Sequence, residues 1–157
     1  MGLVLAVFDI DGVVADVRHR LHHLDRPKSW SAFFAAADHD TLLPEGARLV
    51  ADLARAHEIV WLTGRPAWLR NTTVAWLARF GLPGTELHLR PDRDHRPARQ
   101  FKVAVLRRLA SRDVAAFIDD DPEVISAAGA AGFPAVLADW VPREASLRDA
   151  QERLGRT

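Results

Sequence analysis

Two aspartates stand two residues apart at the end of an apolar run, in Phe8-Asp9-Ile10-Asp11-Gly12. Leu3–Phe8 reads as a buried strand, and its period of two sends Asp9 and Asp11 to the same side as the chain leaves it. One carboxylate can attack phosphorus while the other, when protonated, protonates the leaving oxygen. Gly12 permits the tight turn that follows. A second apolar run, Glu58–Leu62, leads into Thr63-Gly64-Arg65. A hydroxyl, a flexible turn and a guanidinium fork suit a phosphoryl group. A third run, Val114–Ile118, ends in Asp119-Asp120-Asp121. Adjacent carboxylates repel one another unless a cation sits among them, and carboxylate with phosphate oxygens suits Mg²⁺. Lys102 lies between these runs and can neutralise charge near Asp9.

Taken singly, each group has a plain structural use: a turn, a strand-end glycine, a helix N-cap at Asp121-Pro122, a surface lysine. Taken together they favour chemistry, because each Asp or Thr group follows an expected strand. Between the strands the pattern turns helical. Pro44–His57 carries Leu49, Val50 and Leu53 on one face, and Pro66–Phe80 carries Trp68, Trp76 and Phe80. Phe101–Ala110, Pro122–Ala131 and Arg143–Leu154 read as further helices, and Glu86–Leu89 and Ala135–Ala138 as further strands. Such alternation predicts an α/β fold of three layers, a central parallel sheet covered on both faces. Ligands of such sheets bind beyond the carboxyl ends of the strands, where these residues lie.

The 157 residues suit one domain, and 48% hydrophobic with 27% charged residues indicates a soluble globular class. A formal net charge of zero excludes a uniformly basic nucleic-acid-binding surface. The absence of Cys excludes disulfides, thiolate zinc sites and cysteine nucleophiles. Met1–Phe8 is too short for a membrane span and lacks a basic flank, so a cytoplasmic location is expected.

The set Asp9-x-Asp11-Gly12, Thr63, Lys102 and Asp119-Asp120 resembles the four motifs of the haloacid-dehalogenase-like (HAD) superfamily. The resemblance implies a Rossmann-like HAD fold, an aspartyl-phosphate on Asp9 and Asp11 as general acid and base. It implies that Thr63 and Lys102 hold the transferring phosphoryl. Mg²⁺ would be bound by Asp9, Asp119, Asp120 and the backbone carbonyl of Asp11. A closer resemblance is to the 3′-phosphatase domain of phage-type polynucleotide kinase/phosphatase. It rests on Arg20, eleven residues after Asp9, on Thr63-Gly64-Arg65, and on the run Arg90 to Arg96 followed by Lys102. It departs at Asp121, where that family often has Arg, and no phosphate-binding G-x-x-x-x-G-K-[ST] loop is present.

Residues 14–43 leave room for a minimal cap-like insertion, with a helix expected at Ser29–Ala37. Its Trp30, Phe33 and Phe34 are read as packing onto the core rather than as a base-stacking surface. His19 and Arg20 are the better candidates for a second phosphate contact, with Gly64, Arg65 and Arg96. The run Arg90–Arg99 is either a solvated loop or a contact for substrate phosphates. The expected activity is a Mg²⁺-dependent phosphomonoesterase acting on nucleotide or polynucleotide 3′-phosphates. The alternatives are a phosphatase for nucleoside monophosphates or sugar phosphates, and a binding module without turnover. No membrane contact and no obligate protein partner are expected.

Overall fold

Four consecutive apolar residues, Leu5–Phe8, are wholly buried and form the middle strand of a parallel sheet. The computed structural model describes residues 2–157. Its strands are, in chain order, β1 (Leu5–Phe8), β2 (Ala15–Asp16), β3 (Thr41–Leu42), β4 (Glu58–Pro66), β5 (Glu86–Arg90), β6 (Val114–Asp119) and β7 (Ala135–Leu137). The α-helices are α1 (Trp30–Ala35), α2 (Pro44–Leu53), α3 (Arg70–Arg79), α4 (Ala98–Leu109), α5 (Pro122–Ala130) and α6 (Ala145–Arg148). Five strands make the main sheet in the order β5-β4-β1-β6-β7, all parallel. β2 and β3 pair antiparallel beside it.

Alternation along β1 builds the two outer layers. Ala6 and Phe8 join Val50 of α2 and Trp76 and Leu77 of α3 in one core. Leu5 and Val7 join Phe101, Val105 and Leu106 of α4 and Val124 of α5 in the other. The expected three-layer α/β architecture is thus present. A third cluster seats the 14–43 insertion: Phe33 and Phe34 of α1 pack with Val17, Leu21 and Leu24, against Leu69 and Leu147 of the main body.

Three elements differ from expectation. β4 runs through Thr63-Gly64-Arg65 to Pro66, so Pro66 ends a strand instead of opening a helix. A 3₁₀ turn, Ala67–Leu69, follows, and α3 begins only at Arg70. Trp68 therefore falls out of phase with Trp76: Trp76 is buried and Trp68 is 57% exposed. α2 stops at Leu53, short of His57. The terminal segment is one short helix, α6, followed by a π-type turn at Asp149–Arg153. The Asp121 cap forms as expected, its carboxylate accepting from Glu123 N–H at 2.9 Å.

Gly46, in the first turn of α2, brings that helix onto the loop after Asp11. A Cβ there would fall on the backbone carbonyl of Val13. That carbonyl is held in place, since it accepts from the Trp140 indole at 3.0 Å. Two effects oppose each other in Gly46→Ala: helix propensity favours Ala by about 1 kcal/mol, while overpacking costs about 1–3 kcal/mol. The expected result is a lower melting temperature. A higher one would show that α2 has slack against the Val13 loop.

Candidate active site

The parallel register sets Phe8 of β1 opposite Ile118 of β6, so the next residues on each strand, Asp9 and Asp119, leave the sheet side by side. The Asp9 N–H donates to the Ile118 carbonyl at 2.9 Å and fixes the exit of β1. Lys102 comes from α4 below. Its buried Nζ lies 3.0 Å from Asp9 Oδ1 and 2.6 Å from Asp119 Oδ2. Asp119 Oδ1 accepts from the Asp121 N–H at 2.9 Å. Asp9 Oδ2 and Asp120 Oδ1 are buried with no partner. One oxygen each from Asp9, Asp119 and Asp120 lie within 4.8 Å of one another. Gly12 closes this group. It has φ +79°, and a Cβ on it would strike the Asp120 side chain.

Three buried carboxylates share one ammonium. Burial, then the Asp119 charge, pushes the Asp9 carboxyl up to about 8. Burial and the charges of Asp9 and Asp119 raise Asp120 as well. Burial alone would lower Lys102, but Asp119 and Asp9 outweigh it and hold the amine protonated. An all-oxygen donor set with two orphaned carboxylate oxygens fits a hard divalent cation such as Mg²⁺. Asp121 stands apart from this set. It caps α5 and accepts from Arg143 at 3.0 Å.

Asp11 lies in a different environment. Its Oδ1 accepts from Arg65 Nη2 at 2.6 Å and Nε at 3.0 Å, and from Arg20 Nη2 at 3.3 Å. Burial would raise its pKa, but Arg65 and Arg20 outweigh that and hold it below the ordinary value. Both guanidiniums are fully buried. Behind them sits Asp40, which belongs to no sequence motif. It accepts from Arg20 Nε at 2.8 Å, Arg65 Nη2 at 3.0 Å and His19 Nε2 at 2.6 Å. Arg20 also stacks on the Phe33 ring at 4.3 Å. Thr63 is buried at the base of this group, its Oγ1 accepting from the Arg65 N–H at 3.1 Å.

The basic run divides. Arg90 is buried and donates to the carbonyls of Gly64, Asp94, Arg96 and Thr157. Arg96 is exposed and pairs with Asp94 at 2.7 Å. Arg99 pairs with Glu152 at 2.7 Å. So Asp9, Asp11, Thr63, Arg65, Arg20, Lys102, Asp119 and Asp120 share one edge of the sheet, His19 joins through Asp40, and Arg96 stays in the outer loop. No described helix is long and apolar enough to cross a membrane.

No protein-family model matches the chain, and no curated protein does. Solved structures do match. A chain of the Pnkp1/Rnl/Hen1 RNA repair complex superposes with TM-score 0.72 at 21% identity, over 86% of this chain and 42% of that one. The HAD-hydrolase YfnB from Bacillus subtilis, bound to magnesium, gives 0.63 at 10% identity over 87% and 89%. The class C acid phosphatase from Bacillus anthracis gives 0.59 at 17% identity over 79% and 54%. The chain spans less than half the length of the repair-complex chain. These likenesses show that the chain shares the fold of these structures.

Asp40→Ala would leave two buried guanidiniums without their shared carboxylate. Breaking a buried ion pair on one side costs about 3–5 kcal/mol. A urea titration should give an unfolding free energy lower by that amount, and a change under about 1 kcal/mol would mean that Asp11 alone satisfies both arginines.

Proposed function

We propose that this chain is a Mg²⁺-dependent phosphomonoesterase that works through an aspartyl-phosphate on Asp9. The observation that carries this reading is the Asp9 carboxylate itself. One oxygen is held by Lys102 at 3.0 Å, and the other is buried, unpartnered and beside Asp11 at the mouth of the central strand. Asp9 attacks phosphorus, the ester P–O bond breaks, and Asp11 gives its proton to the leaving oxygen. A water then attacks the same phosphorus, Asp11 takes its proton, and Asp9 is freed. Lys102 and Thr63 hold the phosphoryl oxygens. Asp9, Asp119 and Asp120, with the backbone carbonyl of Asp11, would hold Mg²⁺, which supplies neutralising charge beside the phosphate.

Two arginines keep Asp11 ionised in the empty site. A dianionic phosphate entering beside it offsets their field and restores its affinity for a proton. Arg20 and Arg65 are already bonded to Asp11 and Asp40. Their contribution to phosphate binding is therefore the charge of two buried cations beside Asp11.

The substrate we assign is a nucleotide or polynucleotide 3′-phosphate. The likeness to a chain of an RNA repair complex supports it, together with the Thr63-Gly64-Arg65 and Arg20 pattern. A small phosphate ester is the second reading, favoured by one observation: Arg90, Arg96 and Arg99 are each bonded within the protein. A contact of Arg96 with substrate would require it to leave Asp94.

Phosphate release from matched oligonucleotides bearing 3′- or 5′-phosphates, beside mononucleotides, tests both readings. Mg²⁺-dependent release with preference for the 3′-phosphate is expected, falling by about a thousandfold or more in Asp9→Asn. Equal release by Asp9→Asn would contradict the nucleophile. In a thermal melt without substrate, Mg²⁺ should raise the melting temperature of the unaltered protein and not of Asp120→Asn. An equal rise in both would remove Asp120 from the metal site.

A further inference from the structure

Beside the phosphate site, at the carboxyl ends of β4 and β5, is an aromatic cavity of about 320 Å³. That lies within the range of small-molecule pockets, about 300–1,000 Å³. Its walls come from parts of the chain far apart in sequence: Trp30 and Phe34 of the insertion, Pro66 at the end of β4 and Trp68 just after it, His95 after β5, and Arg156. Phe34 meets the Trp68 ring edge-to-face at 5.6 Å. Trp30 has its own cation, with the Arg156 guanidinium 4.9 Å above the ring. Trp68 does not: it is 57% exposed on a short 3₁₀ turn. The turn is pinned, because the Trp68 N–H donates to Asp92 Oδ1 at 3.1 Å. An exposed ring on a pinned turn, at the wall of an aromatic cavity, offers a face on which a planar ligand can stack.

The cavity is joined to the catalytic groups by two direct steps. Pro66 follows Arg65, whose guanidinium holds Asp11. Phe34 follows Phe33, on which Arg20 stacks. Adjacent strands lie about 4.8 Å apart and rise about 3.3 Å per residue, so the end of β5, two strands across and two residues beyond the level of Asp9, stands about 12 Å from it. That separation suits a planar group attached to the phosphate through one sugar ring.

Resting on the phosphatase reading above, we propose that this cavity is a nucleobase subsite: Trp68 supplies the stacking face, and Arg156 and His95 face the base edge and its sugar-phosphate. Stacking on an aromatic ring accepts any base. The site therefore selects nucleoside phosphates over sugar phosphates without selecting sequence. Specificity for a nucleic-acid end thus requires no basic backbone-binding surface, consistent with the zero net charge and the internally bonded Arg90, Arg96 and Arg99.

The test compares kcat/KM on a 3′-phosphorylated oligonucleotide, the same oligonucleotide abasic at its terminal nucleoside, and the 3′-mononucleotide. The unaltered protein should favour the base-bearing oligonucleotide over the abasic one by about tenfold or more. Trp68→Ala should lose most of that ratio, and Trp68→Phe should keep it. A ratio near one in the unaltered protein, or Trp68→Ala slowing both substrates alike, would overturn the subsite. Trp68→Ala should also slow the 3′-mononucleotide, which carries the same terminal base, and an unchanged rate on it would overturn the subsite. A binding measurement separates this proposal from the phosphatase reading. In Asp9→Asn, quenching of tryptophan fluorescence by the oligonucleotide should fall in Trp68→Phe and weaken with the abasic oligonucleotide. Quenching without turnover in the unaltered protein would sink the phosphatase reading and keep the base site. Turnover without base-dependent quenching would do the reverse.

Discussion

Three carboxylates buried at the ends of two neighbouring strands are the constraint that the rest of the molecule serves. Asp9, Asp119 and Asp120 would not stay together in a dry interior without compensating charge. Lys102 supplies part of it and belongs to α4, whose apolar face is seated on the sheet by Phe101, Val105 and Leu106. The parallel register of β1 with β6 sets Asp9 against Asp119. Gly12 leaves the space that Asp120 occupies. Two unpartnered oxygens remain, on Asp9 and Asp120, in a cluster whose carboxylates come within 4.8 Å of one another, which is the arrangement a hard cation completes.

The two motif aspartates differ only in surroundings, and the surroundings separate their roles. Asp9 has carboxylates beside it and one ammonium. Asp11 has two guanidiniums and a second carboxylate, Asp40, behind them. The Asp40 group also ties the 14–43 insertion to the sheet, because Arg20 and Asp40 belong to the insertion and Arg65 to β4. The insertion is thus electrostatically joined to Asp11, and its aromatic residues form one wall of the cavity next door.

Asp9, Asp11, Thr63, Lys102, Asp119 and Asp120 were legible in the sequence because their signal is local. Each carboxylate or hydroxyl group follows an apolar run, and strand ends in a parallel sheet converge by topology alone. Asp40 was not legible, since its three partners are 20, 21 and 25 residues away. Arg90 read as part of a basic loop because nothing near it announces that it is buried against Gly64 and Thr157, the latter 67 residues on. Trp68 was placed on a helix face because its spacing to Trp76 and Phe80 fits one. The strand before it runs four residues longer than its apolar run, to Pro66, so the helix begins after Trp68 and the ring is left in solvent. The packing of Phe33 and Phe34 onto the core was read correctly, as buried aromatic pairs seldom need further explanation.

The central claim is a covalent bond between Asp9 and phosphorus. Borohydride reduces an acyl phosphate to an alcohol, so quenching the enzyme with it during turnover of a 3′-phosphorylated oligonucleotide should convert Asp9 to homoserine. Peptide mass mapping would locate the change. Homoserine at position 9, dependent on both Mg²⁺ and substrate, is the result this account requires. Homoserine at Asp11, or steady phosphate release with neither aspartate ever trapped, would contradict it.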